Sequence, residues 1–339
     1  MDDTQITVRQ QQILDLLSIS PLSRAGLELS LVGVSRITVL RDLNSLLAQN
    51  LIIKRGTNKS TVYSLKDTHP LLKPVKTRNP AIDVSFSFDI FNNAHQLFTK
   101  SELTAQHSSH KDLSTAQKTL SSTIFKKELE RFTIELAWKS SAIEGNTYTL
   151  LETEALLKNL QTGSGKTKTE TQMILNHKTA LDYIINNPLE KAQLSLDYVI
   201  KIHALLTAQL NVSPHLRSHP VGITGSTYQP PNNIGVIKKA IEQTIQLINQ
   251  TGYPLEKSLL SVALVSYIQP FEDGNKRTAR LIGNALLFAH NYYPISYRAV
   301  NELDYKQSLL YFYEQNTLLP FKKVFLEQYQ YSLTHYFQT

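Results

Sequence analysis

Apolar residues recur at helical spacing from Thr119 towards the end of the chain, and this repetition limits the possible fold more than any other feature. The predicted helices cover residues 120–140, 150–161, 169–186, 196–209, 234–250, 254–268 and 276–290, with a closing set between 304 and 337. Residues 219–231 break the pattern, because glycine, threonine and tyrosine alternate there and two prolines follow, which predicts a small β-hairpin. The sequence therefore predicts a mainly α domain over residues 90–339.

Composition sets the wider limits. The chain has 339 residues and 41% of them are hydrophobic, so it is long enough to bury a sizeable core in two or three domains. It contains no apolar run of about 18 residues and no charged start followed by an apolar stretch, which predicts neither a membrane span nor a signal peptide. Cysteine is absent, which excludes disulfides and thiolate catalysis, and we expect a cytoplasmic protein. The formal net charge of +7 permits an acidic partner such as DNA.

The first 66 residues show a different organisation. Helical patterns at residues 8–18, 22–29 and 35–49 precede two short strands that flank a turn at 56–59. Ser35 stands where the N-cap of the third helix belongs. The apolar residues of that helix repeat at helical spacing and are predicted to face the core: Ile37, Leu40, Leu43, Leu46 and Leu47. The opposite face offers Arg36, Thr38 and Arg41 to solvent.

This arrangement resembles a winged helix-turn-helix domain over residues 1–66. The resemblance implies that Arg36, Thr38 and Arg41 approach bases or phosphates in the major groove of double-stranded DNA. It also implies that three cations of the wing contact the DNA backbone: Lys54, Arg55 and Lys59. A winged helix used for protein contact or for a homodimer remains the alternative, because the fold does not fix the function.

Residues 67–89 lose helical periodicity. Pro70, Pro74 and Pro80 interrupt this stretch and prevent a helix. The segment is therefore predicted to be a linker between the two domains.

Residues 269–280, with the sequence QPFEDGNKRTAR, concentrate the chemistry of the chain. The turn at 273–275 contains Gly274, which adopts left-handed dihedrals freely, and the helix that follows directs its free N–H groups towards that turn. An anion fits there. Asp273 is a candidate ligand for a Mg²⁺ that bridges phosphate oxygens, and Arg277 and Arg280 are three residues apart on one helical face, suited to gripping further phosphates.

The same twelve residues resemble the signature of the Fic (Fido) family, HxFx[DE]GN[GK]RxxR, at every defined position except the first. The resemblance implies a protein adenylyltransferase that transfers AMP from ATP·Mg²⁺ to a protein hydroxyl. It implies a nucleotide site formed by five residues: Gly274, Asn275, Lys276, Arg277 and Arg280. In the family a histidine at the first position is the general base, and here Gln269 replaces it. Because glutamine does not accept a proton near neutral pH, nucleotide binding is predicted more firmly than catalysis.

Two further segments resemble the same family. The sequence around residues 138–146 contains Ser140 and Glu144 in the pattern of its inhibitory helix, which implies that Glu144 pairs with Arg280 and blocks the γ-phosphate. Residues 219–231 resemble the flap, along which a target protein docks as an extended strand. Lys276 also occurs in relatives that transfer a phosphoryl group, but Gly274 favours the AMP orientation.

Three functions stay open on the sequence. The chain is a weak or conditional AMP transferase, a nucleotide-binding pseudoenzyme that regulates transcription through DNA binding, or an interaction module with a vestigial phosphate site. His203 lies on an apolar helix, and we expect a hydrogen-bonded core histidine there rather than a substitute base.

Overall fold

The computed structural model describes residues 7–49, 51–57, 60–66, 69–73, 75, 78, 83–99, 102–103 and 112–338. Within these ranges a small hydrophobic cluster extends from Ile13 to Tyr63, and a much larger one begins at Leu71. Three residues named above lie outside the described ranges, namely Lys59 of the predicted wing and Pro74 and Pro80 of the predicted linker.

The N-terminal part contains three helices and a three-stranded sheet. In chain order these are α1 (Val8–Ile19), β1 (Leu22–Ser23), α2 (Arg24–Ser30), α3 (Arg36–Ala48), β2 (Ile52–Arg55) and β3 (Val62–Leu65). β3 lies between β1 and β2 and is antiparallel to both. The strand β1 was not predicted. That this part is a winged helix-turn-helix domain that binds DNA stays a prediction.

The buried face of α3 differs from the predicted one. Leu43 and Leu46 are fully buried as expected, but the third fully buried apolar position is Val39. Ile37 is 81% exposed and Leu40 is 38% exposed, so the prediction that these two face the core was wrong. The helix buries positions i, i+4 and i+7 counted from residue 39, and residue 37 falls on the opposite side.

The rest of the chain is helical, which confirms the mainly α fold class. Its helices are α4 (Asp89–Asn93), α5 (Leu113–Thr119), α6 (Ser122–Ile143), α7 (Leu150–Asn159), α8 (Lys168–Asn186), α9 (Leu196–Thr207), α10 (Ile234–Gln250), α11 (Pro254–Ile268), α12 (Asn275–Ala289), α13 (Glu302–Gln315) and α14 (Leu319–His335). Local sequence explains several boundaries. Capping boxes formed by Thr149 with Glu152 and by Thr167 with Glu170 begin α7 and α8, and Pro254 is the first residue of α11.

α11 and α12 form the centre of this helical part. Every residue of α11 from Leu255 to Ile268 is buried. The two helices approach closely at Gly283, where a Cβ atom would lie 2.9 Å from Ser258 Oγ. The turn between them, at residues 269–274, is therefore held between two helix ends that cannot move apart without opening the core.

Residues 219–231 contain turns and extended backbone rather than two strands paired with each other. The single strand β5 (Tyr228–Gln229) pairs in parallel with β4 (Val84–Ser85), which lies in the predicted linker. The Tyr228 hydroxyl donates to Tyr267 O at 2.9 Å, so this segment is anchored on α11. The segment is therefore not the predicted hairpin. Its only paired strand, β5, has a partner 144 residues earlier in the chain, a pairing that local sequence does not encode.

Across the described part of the chain, no helix combines the length and apolar character that crossing a bilayer requires.

Candidate functional site

The turn that joins α11 to α12 is shaped by the side chain of Asn275. Its Oδ1 accepts from Phe271 N and its Nδ2 donates to Phe271 O, both at 2.8 Å. The side chain is buried, so both bonds are shielded from water. Asn275, predicted to bind nucleotide, closes the loop through its side chain.

The start of α12 leaves backbone N–H groups without partners inside the helix. Gly274 is the N-cap with φ of +76° and provides no side chain to cap the helix. The first backbone bond of the helix runs from Thr278 N to Gly274 O, so the N–H groups of residues 275–277 have no partner within α12. Unpaired N–H groups at a helix start favour negative charge.

His203, on α9, contacts this turn. Its Nε2–H donates to Asp273 O at 2.9 Å, and its ring stacks on Phe271 with centroids 3.6 Å apart. The residue is fully buried, as expected for a core histidine, and burial lowers its pKa so that it is neutral at pH 7. The turn at residues 273–275 and the start of α12 are named the cradle here. A Cβ on Gly274 would lie 3.1 Å from Thr207 Cγ2, so α9 packs tightly against this cradle.

Arg277 is the more accessible of two buried cations next to the cradle. Its Nη2 lies 3.3 Å from Asp273 Oδ2, and its side chain is only 2% exposed. The buried Nη1 has no hydrogen-bond partner among the described residues. Burial lowers the pKa of Arg277, although it remains a cation. A buried guanidinium with an unused donor is suited to a phosphate oxygen.

Arg280 is completely buried and joins α12 to the end of α6. Its Nε donates to Ser140 Oγ at 2.8 Å and its Nη2 donates to Ser140 O at 2.7 Å. The same Nη2 reaches Glu144 Oε1 at 2.9 Å. The structure thus brings Arg280 together with Glu144, as the resemblance implied, and also with Ser140, although these residues are 136 and 140 positions away in the sequence.

Glu144 sits between two cations of α12. In addition to Arg280, its Oε2 lies 3.5 Å from Lys276 Nζ. Burial alone would raise the pKa of Glu144, but Arg280 and Lys276 outweigh it and hold this pKa below its ordinary value. The carboxylate is therefore charged at pH 7 and binds the Nη2 donor of Arg280.

His177 also belongs to this network, and sequence reasoning did not identify it. Its Nε2 is 2.8 Å from Ser140 Oγ, and the ring is buried on α8. Burial, together with Arg280 and Arg277, lowers the pKa of His177 well below its ordinary value. Its apolar helical surroundings are those of any core histidine, so no local signal points to the contact.

Gln269 ends α11 in a left-handed conformation, with φ of +50° and ψ of +61°. Its Nε2 donates to Ser266 O at 2.6 Å, and the residue is 7% exposed. This amide has no basic atom, so no proton acceptor stands at this position.

Asp273 presents a largely free carboxylate in the turn, since its side chain is 69% exposed, and its neighbour Glu272 is exposed as well. The described residues contain no cluster of three or more acidic, histidine or cysteine side chains that would hold a metal alone. A single carboxylate is what Mg²⁺ uses when phosphate oxygens complete its shell. The donor set therefore fits a metal that arrives with a nucleotide.

The residues predicted to bind DNA are not part of this site. Arg36, Arg41, Lys54 and Arg55 are exposed on α3 and β2, and none of them takes part in an ion pair among the described residues. Thr38 is partly buried, and its hydroxyl lies 2.8 Å from Ser35 Oγ. Ser35 is the N-cap of α3 as predicted.

Residues 219–231, here named the flap-like segment, are connected by hydrogen bonds to Arg78 of the predicted linker and to α13. Arg78 Nε donates to Glu314 Oε2 at 2.7 Å, while its Nη2 donates to Gly225 O at 2.6 Å. The Ser226 hydroxyl donates to Glu314 Oε1 at 2.7 Å. One carboxylate thus binds the linker and the tip of the segment together.

Comparison with known proteins points to one family. The model of the Fic/DOC family matches residues 193–287, which contain α9, α10, α11 and nearly all of α12. The protein adenylyltransferase Fic of Nematostella vectensis is 30% identical over 176 residues, which make up 51% of this chain and 41% of the relative. That of Drosophila virilis is 27% identical over 161 residues, or 47% of this chain and 33% of the relative. The chain thus spans less than half the length of these relatives.

Solved structures agree on the fold. Fic-1 from C. elegans superposes with a TM-score of 0.57 at 20% identity and covers 69% of each chain. A Fic family protein from Desulfovibrio desulfuricans gives the same TM-score at 20% identity and covers 76% of this chain and 75% of its own. At this identity the likeness concerns the fold alone.

Proposed function

We propose that this chain, which carries a Fic domain, binds ATP at the start of α12 and is related in chemistry to the protein adenylyltransferases. The observation that carries the proposal is the joint placement of an uncapped helix start, the free Nη1 of Arg277 and the Arg280–Glu144 pair. Together they form a cationic phosphate site in which one cation is already occupied by a carboxylate of the same chain.

Each residue of the site has a role in this proposal. The N–H groups at the start of α12 and Arg277 bind phosphate oxygens, and Gly274 leaves room for them. Asp273 holds Mg²⁺, which neutralises phosphate charge when it is bound. Arg280 binds the terminal phosphate once Glu144 has moved away.

AMP transfer requires a proton acceptor as well as a bound nucleotide. A target hydroxyl oxygen bonds to the α-phosphorus, the bond to the β-phosphate oxygen breaks, and the hydroxyl proton must leave. Gln269 cannot accept that proton, and losing a positioned base lowers a rate by about 10²–10⁴. We therefore propose that the transfer step is strongly impaired and that ATP binding is retained.

The first experiment measures ATP binding by calorimetry in the presence of Mg²⁺. Glu144→Ala frees Arg280 and removes a negative charge next to the phosphate site, and we expect ATP affinity to rise about tenfold or more, equivalent to about 1.4 kcal/mol. Glu130→Ala is the matched control, because it changes an exposed glutamate of α6 whose ion pair among the described residues is with Lys158 at 3.8 Å. An ATP affinity that is equal in the two variants, or no binding at millimolar ATP, would contradict the proposal.

The second experiment follows transfer of α-labelled phosphate to protein, either to the chain itself or to proteins of a cell extract. Gln269→His, alone and combined with Glu144→Ala, should raise labelling about 10²–10⁴-fold over the unmodified chain. Labelling of the unmodified chain at the rate of the Gln269→His variant would show that the glutamine does not limit transfer. No labelling by the double variant would leave a nucleotide-binding protein without transferase activity.

A second candidate function is DNA binding that responds to the nucleotide. It is favoured by Arg36 and Arg41, which are exposed on α3 without an acidic partner among the described residues. Binding to duplex DNA, measured by fluorescence anisotropy at several salt concentrations with and without ATP, tests it. An affinity that does not fall with salt would exclude phosphate contacts.

A further inference from the structure

Arg217 lies just before the flap-like segment and is almost completely buried, with 1% of its surface exposed. None of the ion pairs among the described residues includes it. A buried cation without a carboxylate is costly unless dipoles surround it. The contacts of Arg217 must therefore offset the cost of burying its charge.

The Arg217 guanidinium joins the two ends of the flap-like segment. Nη1 donates to His219 O and Nη2 donates to Pro231 O, both at 2.6 Å. These carbonyls mark the first and last residues of the segment. One planar group thus fixes the distance between its two ends.

The same side chain holds the start of the motif turn. Nε donates to Gln269 O at 2.6 Å, and the Arg217 backbone N–H donates to Pro270 O at 3.0 Å. A weaker contact of 3.4 Å joins Nη2 to Ile268 O. Burial lowers the pKa of Arg217, but four carbonyl oxygens around the guanidinium keep it a cation.

This contact bears on the conformation of Gln269. A non-glycine residue with positive φ, such as Gln269, is in a strained backbone conformation. Such a conformation persists only where its surroundings hold it. Arg217 binds the carbonyl of this residue and so fixes the peptide plane that directs the side chain at position 269.

We propose that Arg217 is a positioning residue that sets the flap-like segment and residue 269 in one rigid frame. The proposal rests on the proposed function, in which a target hydroxyl delivered along the flap must meet position 269 above the α-phosphate. Lysine cannot replace the arginine, because its single ammonium does not reach carbonyls in three fixed directions. Arg217 touches neither nucleotide nor target and acts through the segments it binds.

Hydrogen–deuterium exchange of the full chain tests the frame without any need for activity. In Arg217→Lys we expect amide exchange in residues 219–231 and 268–271 to rise at least tenfold, while exchange in α8 stays within twofold. Arg131→Lys is the matched control, because Arg131 is a partly exposed arginine whose ion pair is with Glu128 on the same helix. Unchanged exchange in the flap, or an equal rise in α8, would overturn the proposal.

A measurement on the unmodified protein decides the matter if Arg217→Lys does not fold. The side-chain Nε–H of Arg217, followed by nitrogen-15 NMR, should exchange with water much more slowly than those of exposed arginines. Exchange at the rate of an exposed guanidinium would show that the carbonyl contacts do not persist in solution, and would overturn the frame.

The effect on transfer is measured in the Gln269→His background. Arg217→Lys should lower kcat at least tenfold and leave KM for ATP within twofold, because the phosphate site at α12 is untouched. An unchanged kcat would overturn the positioning role. If Gln269→His alone shows no transfer, the proposed function fails, and the exchange experiment still decides whether Arg217 holds the frame.

Discussion

Functions are proposed for two groups of cations, one at the start of α12 after the motif turn and one on the exposed face of α3. The two groups differ in burial and in their contacts with the rest of the protein. Arg277 and Arg280 are 1% and 0% exposed and bind protein groups on neighbouring elements. Arg36 and Arg41 are exposed and have no acidic partner among the described residues. The motif cations are therefore part of the fold, whereas those of α3 are independent of it.

This difference separates stability from binding in the two regions. A change at Arg277 or Arg280 removes buried contacts as well as a proposed nucleotide ligand, so we expect the stability of the fold and the affinity for nucleotide to fall together. A change at Arg36 or Arg41 on α3 removes only an exposed side chain, so the stability of the fold should hardly change. Measuring both properties on matched variants tests whether the separation holds.

The largest effect is expected for Arg280→Ala. Removing this cation breaks the 2.9 Å ion pair with Glu144 and two hydrogen bonds to Ser140. Breaking a buried pair costs about 3–5 kcal/mol, and Lys276 remains as a second cation near Glu144. Arg41→Ala on α3 is the control and should change the free energy of unfolding by less than about 0.5 kcal/mol. Urea denaturation measures both, and similar losses in the two variants would contradict the comparison.

A pair of glycines gives a sharper test. Gly274 and Gly33 have nearly the same positive φ, +76° and +82°, but only Gly274 has close neighbours for a Cβ atom, at 3.1 Å from Thr207 Cγ2. Both alanine variants should lose about 1 kcal/mol from backbone strain, and Gly274→Ala should lose more and bind ATP more weakly. Equal losses of stability would show that the cradle is not tightly packed.

A smaller, pH-dependent effect is expected for Glu170, which anchors the segment after Glu144. Hydrogen bonds from Thr147 and Thr167 lower the pKa of Glu170 to about 2. A lowered pKa stabilises the folded state above the ordinary pKa of 4.5, and this contribution disappears as the pH falls from there to about 2.

Glu170→Gln should therefore cost about 1 kcal/mol at pH 7, a capping contribution that solvent screening limits. Below pH 3 the variant and the unmodified chain should approach the same stability. Denaturation across pH 2.5–7 checks the trend, and a difference that grows towards low pH would be the opposite of the expected sign.

The smallest effect on stability is expected for the double change Arg36→Ala and Arg41→Ala. The free energy of unfolding should stay within about 0.5 kcal/mol, while affinity for duplex DNA falls and its salt dependence becomes shallower by about one unit per lost phosphate contact. Lys127→Ala, an exposed cation on α6, serves as control. DNA affinity that is equal in the two variants would remove the DNA-binding candidate.

Several parts of the fold were predictable because their causes are local. The predicted helices beyond residue 119 match the structure within a few residues, since apolar spacing, capping residues and prolines act within one or two turns. The pairing of Arg280 with Glu144 was predicted through the family resemblance, and in the structure Arg280 Nη2 lies 2.9 Å from Glu144 Oε1. The hydrogen bonds from Arg280 to Ser140 were not predicted.

Other parts depend on contacts between distant segments. The exposed side of α3 was misjudged at Ile37 and Leu40, because the direction of a helix face is set by what packs on it. The β4–β5 pairing, the His177–Ser140 contact and the carbonyl contacts of Arg217 join residues far apart in sequence, and no local pattern marks them.

The sequence by itself determined the helical composition, the motif at residues 269–280 and the glutamine at position 269, because hydrophobic period and residue chemistry are properties of the chain alone. Tertiary structure decided that Glu144 occupies Arg280, that Asn275 braces the turn and that Arg217 joins the flap to position 269. These outcomes depend on directed hydrogen bonds over a few ångströms, and only packed helices bring their partners within that reach.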